Sequence, residues 1–128
     1  MKFPNNCKYT KTHEWTKKEE KVCIVGVTEY AQKELSDVVY VELPDISRDI
    51  KAGEAVCVVE SVKAAFDIFA PLSGRVLEVN TDLENNPALI NSDPYGKGWL
   101  FKLECSNENE LNSLMDAAAY GKHIEGEQ

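Results

Sequence analysis

The residues best placed to do chemistry are Glu60-Ser61-Val62-Lys63-Ala64, with Lys63 at their centre. An apolar run, Ala55-Val56-Cys57-Val58-Val59, precedes them, and Phe66-Asp67-Ile68-Phe69 follows. Both flanks carry the β-branched and aromatic content of strands, and residues 61–65 are few enough to form the turn of a β-hairpin. A lysine at such a turn is held out in solvent at a fixed place. That geometry suits a modifying enzyme that must find one lysine among many, and a prosthetic arm that must then swing between partners. Acylation would turn the amine into a neutral amide and remove one charge from the tip. The hairpin pattern by itself leaves open the alternative that Lys63 is an ordinary exposed lysine.

The elements that must hold this tip are mostly short strands. Residues 7–15 are expected to pair as an edge strand ending at His13-Glu14-Trp15, after a short, loose polar lead. Residues 21–27 read as a strand. Thr28 then reads as the N-cap of a short helix, with Glu29 in its first turn and Tyr30, Ala31 and Leu35 on its buried face. Residues 38–43 form a further strand, whose adjacent Val38 and Val39 imply burial on both faces or a bend, and Pro44 stops it. Residues 45–52 read as a charged connection, and 75–80 as a strand with Val76 and Val79 inward. A loop with a helical turn at 87–90 follows, then a strand at 99–103 with Trp99, Phe101 and Leu103 on one face. The tail is expected to be helical, capped by Ser106 and striped with Leu111, Leu114 and Met115. A second short helix over 116–120 would be stopped by Gly121, with 123–128 frayed. Many short strands with glycine turns predict a mainly β sandwich or barrel.

At 128 residues the chain has the size of a single domain, 1–128, with its core over about 8–120. Its 22 acidic and 14 basic residues give a formal charge of −8. That charge argues against a nucleic-acid partner and could steer the protein towards basic patches on other proteins. Cys7, Cys23, Cys57 and Cys105 form no Cys-x-x-Cys pair. They are expected to be reduced, with Cys23 and Cys57 acting as small core residues, in an intracellular compartment. Only His13 and His123 could supplement them, which argues against a zinc site. No apolar run approaches the roughly 20 residues of a membrane span, and no signal-peptide stretch is visible, so no membrane association is expected.

The wording of the central motif goes further than its pattern. Glu60-Ser61-Val62-Lys63-Ala64, followed by Asp67, Pro71 and Ser73-Gly74, resembles the lipoyl-attachment region of the glycine cleavage system H proteins. His13-Glu14-Trp15, Val25-Gly26-Val27-Thr28-Glu29-Tyr30-Ala31-Gln32 and Asp37-Val38-Val39-Tyr40-Val41-Glu42-Leu43-Pro44 agree in order and spacing. So do Val76-Leu77-Glu78-Val79-Asn80 and Asp93-Pro94-Tyr95-Gly96-Lys97-Gly98-Trp99-Leu100. The resemblance covers roughly residues 8–120. It implies the flattened barrel-sandwich hybrid of lipoyl domains, with a short internal helix and C-terminal helices.

It also implies lipoate in amide linkage to Lys63, attached by a lipoate ligase or a lipoyl/octanoyl transferase. The chain would be a carrier with no catalytic constellation of its own. Three partners are implied: a pyridoxal-phosphate glycine decarboxylase that loads an aminomethyl group, a tetrahydrofolate-dependent aminomethyltransferase that removes it, and a dihydrolipoyl dehydrogenase that reoxidises the dithiol. A monomer in the bacterial cytoplasm is expected, with the mitochondrial matrix as the alternative.

Glu60 is either a solvated turn residue or part of what the attaching enzyme reads. Glu14, Asp67 and Thr12 match family positions in the cleft that shelters the loaded arm; residue type alone leaves open the alternative that both acids merely keep the tip soluble. Phe66 departs from the family, which commonly has a small or polar residue there. Phe66 and Phe69 should lie on opposite faces of a regular strand. The runner-up readings are an H-like lipoyl-relay protein and, on the hairpin-lysine design alone, a biotin carrier. Biotin carriers normally flank the lysine with methionines, whereas Val62 and Ala64 stand here.

Overall fold

Alternating apolar residues build two sheets that face one another across a shared core. The computed structural model describes residues 1–105 and 107–127. The larger sheet contains β1 (Lys8–Tyr9), β2 (Glu14–Glu19), β3 (Val22–Val27), β5 (Asp49–Ile50), β8 (Gly74–Val79) and β9 (Phe101–Cys105), in the order β1-β2-β3-β9-β8-β5. The smaller contains β4 (Val38–Glu42), β6 (Ala55–Ser61) and β7 (Ala65–Phe69), in the order β4-β6-β7. Every pairing is antiparallel. Cys23, Val25, Val76, Phe101 and Leu103 of the large sheet meet Val41, Cys57, Val59 and Ile68 of the small one in a single buried cluster. The expected mainly β, lipoyl-domain-like sandwich is the fold observed, and its two sheets do not close into a barrel.

Several elements differ from the sequence reading. Residues 7–15 are not one edge strand: a turn over 10–13 separates β1 from β2, and Glu14 opens the second strand rather than ending the first. The N-terminal lead is tied down, with Phe3 edge-on to Tyr120 at 5.0 Å and Pro4 O accepting from Tyr9 Oη at 2.5 Å. The adjacent valines mark a bend. Val38 is buried, Val39 is exposed, and a bulge separates Val38 from Tyr40. The charged connection hides the two-residue β5, and residues 81–91 hold α2 (Asp82–Asn85) and the start of α3 (Leu89–Ser92).

At the C-terminus, α4 (Glu108–Asn112) is capped by Asn107, whose side chain accepts from Asn109 N. Ser106, the expected cap, lies outside the described residues. Gly121 does not stop the last helix: α5 runs Ala117–Glu127, so residues 123–127 of the expected frayed tail are helical, and Gln128 lies outside the described residues. Tyr120 and Ile124, four apart on one face, are both buried, and that burial carries the helix across the glycine. The Tyr120 ring stacks on Tyr9 at 4.7 Å, and Tyr9 and Met115 exchange backbone hydrogen bonds at 2.8 and 3.0 Å. This second aromatic cluster, with Trp15 and Cys7, clamps the chain's two ends together. No helix among the described residues is long and apolar enough to cross a membrane.

The cysteines also depart from expectation. Cys23 and Cys105 are joined in a disulfide, with Cα atoms 6.1 Å apart. Cys23 stands opposite Leu103, so Cys105 lies two residues along on the same face of the neighbouring strand. A separation of 82 residues hides that proximity in the sequence. The case for an intracellular compartment from four reduced thiols therefore falls. Cys7 and Cys57 remain free and buried, and burial, helped by the Glu42 charge, pushes the Cys57 thiol up to about 12. Neither has the character of a nucleophile.

Glu14 is the one fully buried acid among the described residues. Its Oε1 accepts from Thr10 Oγ1 at 2.6 Å and Thr12 Oγ1 at 2.5 Å, and its Oε2 accepts from Phe69 N at 3.2 Å. One carboxyl thus closes the β1–β2 turn and ties it to the small sheet. Burial outweighs these hydrogen bonds and holds its pKa above the ordinary 4.5. The folded state therefore binds this proton more readily than the unfolded chain. Glu14's contribution to stability is greatest below pH 4.5 and is lost as pH rises through the elevated value. Compared with Glu14→Gln across an acid-to-neutral denaturation series, the natural protein should lose ground as pH rises. A second expectation concerns packing: a Cβ at Gly26 would lie 2.6 Å from the Trp15 ring. Gly26→Ala should cost about 1–3 kcal/mol in urea denaturation. Gly121→Ala, with open space around its Cβ, should instead stabilise α5 by up to about 1 kcal/mol.

Candidate functional site

The tip that presents Lys63 is three residues long, 62–64, between β6 and β7. Ser61 N donates to Ala64 O at 2.9 Å and closes the turn. The Ser61 hydroxyl, buried beneath, accepts from Lys63 N at 3.1 Å and Ala64 N at 3.4 Å. Val62 N donates to Asp37 O at 3.0 Å, fastening the tip to the link between α1 (Glu29–Leu35) and β4. The backbone of the turn is thus satisfied by its own scaffold, while the side chains of Val62, Lys63 and Ala64 stand in solvent. Glu60 is exposed one residue below Ser61, opposite Ala65 and Tyr40 in the sheet.

Lys63 Nζ donates to Glu34 O at 3.1 Å, placing it at the carboxyl end of α1, where backbone carbonyls favour a cation. Glu34 in turn lines a cleft of about 190 Å³ between α1 and β7. Ala31, Leu35, Phe66 and Ile68 supply its apolar wall, and Thr12, His13, Glu34 and Asp67 its polar groups. The helix positions its share by period: residues 31, 34 and 35 fall on one face. Thr28 fixes where that helix begins, its hydroxyl accepting from Ala31 N at 3.1 Å as the expected N-cap.

The structure brings together some of the residues expected at the cleft and separates one. Thr12 and Asp67 share it with Phe66. Glu14 instead faces a second, more open pocket with Thr10, Thr12 and Phe69, so Thr12 borders both. Phe66 and Phe69 line different pockets, as their odd spacing requires, and both rings are half-buried. The sequence reading gave no role to Glu34 or His13. Glu34 acts here through its backbone carbonyl, which leaves no signature in residue type. His13 is held with positive φ, 74°, in the β1–β2 turn, and its ring lies 4.7 Å from that of Tyr30. The N-cap at Thr28 was the one available signal, because it sets which residues end the helix beside the tip.

An exposed lysine on a braced hairpin, beside an apolar-walled cleft with an acidic rim, suits a covalently tethered arm that must dock and leave. The comparisons with known proteins agree with this geometry. The glycine cleavage H-protein family matches residues 7–127. The glycine cleavage system H protein of Thermotoga maritima is 58% identical over 113 residues, covering 88% of this chain and 91% of that protein. That of Thermus thermophilus is 51% identical over 127 residues, 99% of each chain. In three dimensions, the crystal structure of a glycine cleavage system H protein from Mycobacterium marinum superposes with a TM-score of 0.89 at 35% identity, covering 96% of this chain and 99% of that one. Sequence, fold and site converge: this chain belongs to the glycine cleavage H-protein family.

Proposed function

We propose that this chain is the lipoyl-carrying shuttle of a glycine cleavage system, with lipoate in amide linkage to Lys63. The observation that carries the reading is the position of Lys63 Nζ, 3.1 Å from a carbonyl of the residue that lines the adjacent cleft. An arm leaving that nitrogen starts at the cleft's mouth. The residues present fit such a group: the apolar wall of Leu35, Phe66 and Ile68 suits a hydrocarbon chain, and Thr12 and Asp67 suit a polar, cationic end. When bound, the group supplies a dithiolane that takes up the glycine-derived aminomethyl carbon with reduction and is later reoxidised.

The chain's own residues orient and shelter. Ser61 fixes the backbone of the tip, and Asp37 O holds Val62. Glu60, exposed beside the tip, is open to reading by a lipoate ligase or a lipoyl/octanoyl transferase. Glu14 closes the β1–β2 turn that carries Thr12 to the cleft. The partners in this reading are a pyridoxal-phosphate glycine decarboxylase, an aminomethyltransferase and a dihydrolipoyl dehydrogenase. The chain serves all three as a carrier and is not itself an enzyme. A formal charge of −8 suits docking to basic patches on those partners. The bacterial relatives support a cytoplasmic setting.

Intact mass after expression with lipoate and a lipoate ligase should show a lipoyl increment that maps to Lys63 and is absent in Lys63→Arg. A biotin increment there would replace the cofactor. No increment, with the ligase active on another acceptor, would end the carrier reading. Ser61→Ala, which removes the hydroxyl under the turn, should cost about 1 kcal/mol of stability and slow lipoylation, as followed by mass spectrometry over time. In the loaded protein, Asp67→Asn should hasten hydrolytic loss of the aminomethyl group without impairing lipoylation. Glu14→Gln should do so less, because its carboxyl faces the other pocket. Equal loss rates in the natural protein and both variants would remove the acids from the sheltering role.

A further inference from the structure

The cleft beside Lys63 has an apolar wall and a polar rim, and the two answer different parts of a tethered arm. Asp67, on the rim, recognises a cationic end. The wall meets the hydrocarbon, which is the same whatever the arm carries. Most of that wall is already buried against the core. Val27, Leu35 and Ile68 line the cleft at 1%, 4% and 4% exposure, so little of their surface is left for an occupant. Ala31 offers one methyl group. Phe66 is the largest apolar side chain in the lining and is only half-buried. Its ring therefore supplies the largest share of the apolar surface that an arm could still remove from water.

The ring is also anchored. Phe66 stands opposite Val59 of β6, which is fully buried, and it packs against the core cluster. β7 is an edge strand of the small sheet, so β6 is its one partner strand there and the cleft side of Phe66 is left to α1 and to whatever enters. Lys63 is three residues away, and its Nζ rests on the carbonyl of Glu34 at the same cleft. A group tethered at that nitrogen meets the ring at an effective concentration on the order of millimolar. Apolar contact equivalent to a millimolar affinity is then enough to keep the arm docked half of the time.

We propose that Phe66 makes docking of the arm independent of its cargo: the ring holds the hydrocarbon in the cleft while the arm is empty, and Asp67 adds to that hold only when an amine is carried. The inference rests on the reading of Lys63 as the lipoylated residue. Phe66 is accordingly a specificity-determining residue for the state of the arm. With a small polar residue in its place, the wall would keep little more than Ala31 open, and docking would depend on the charge of the cargo. With the ring present, the empty arm lies against the protein and its disulfide is screened from reductants in solution. An enzyme that uses the arm must first draw it out.

The test uses the full chain, lipoylated at Lys63 and carrying no cargo. Methyl NMR compares it with the unlipoylated protein. Lipoylation should shift the methyl signals of Ala31, Leu35 and Ile68, and loading the aminomethyl group should leave most of that shift in place. Unshifted methyls in the natural, empty protein would overturn the proposal without any variant. A second reading is the rate at which tris-carboxyethyl phosphine reduces the dithiolane of the empty arm, followed by trapping of the thiols. Phe66→Ser should be reduced several-fold faster than the natural protein and should lose the methyl shifts. Phe66→Leu, which keeps an apolar side chain, should stay close to the natural rate. Equal rates in the natural protein and a folded Phe66→Ser would overturn the role of the ring. A chain that takes no lipoyl increment would strike the carrier reading, whereas a lipoylated chain with unshifted methyls would strike this proposal alone.

Discussion

A three-residue turn can offer its central side chain to other proteins only if its backbone stays put without that side chain's help. Ser61 meets this constraint. Its hydroxyl takes the amides of Lys63 and Ala64 from below, while its own amide closes the turn on Ala64 O. A threonine there would bring a methyl group into this buried position, and an alanine would leave two amides to water. With the turn's amides met by Ser61 and by Asp37 O, the Lys63 side chain carries no structural duty in the sheet. Its hydrogen bond to Glu34 O is exposed and exchanges readily with water.

The rigidity beneath the tip comes from the core rather than from the hairpin. An isolated two-stranded hairpin is marginal in water. Here β6 is the central strand of its sheet, and Cys57, Val59 and Ile68 are buried against the large sheet. The large sheet is itself stapled between β3 and β9 by the Cys23–Cys105 disulfide. The helix α1 enters as the third support. Capped at Thr28 and buried through Leu35, it delivers Glu34 O and Asp37 O to the tip and Ala31 and Leu35 to the cleft. One short helix thus braces the Lys63 tip and lines the cleft beside it.

Strands with clear alternation and residues with strong local preferences were legible in the sequence. The hairpin around Lys63, the Thr28 cap and the inward face of Phe101 and Leu103 followed from pattern alone. What stayed hidden depended on distant partners. Gly121 reads as a stop because local preference says so, but burial of Tyr120 and Ile124 overrides it. Residues 7–15 look continuous because nothing in their composition announces the positive φ at His13, and Cys23 finds Cys105 only once β3 and β9 have paired. At the site, side-chain chemistry marked Lys63, Thr12 and Asp67. The carbonyls of Glu34 and Asp37 were silent, because every residue has one.

Glu14 and Asp67 show why residue type underdetermines role. Both are acids near the same end of the sandwich, and both drew the same expectation. Glu14 is buried and spends its lone pairs on two threonine hydroxyls and the amide of Phe69, so its carboxyl is occupied by the protein itself. Asp67 is exposed on the cleft's rim, with its charge directed at whatever enters. Thr12 connects them: its hydroxyl is held by Glu14, and its residue borders both pockets. The buried acid therefore acts by shaping the turn that carries Thr12 and His13, and the exposed acid acts by its field. Exchanging the two would serve neither purpose, since a solvated carboxylate cannot hold the turn and a saturated one has few lone pairs left for a cargo.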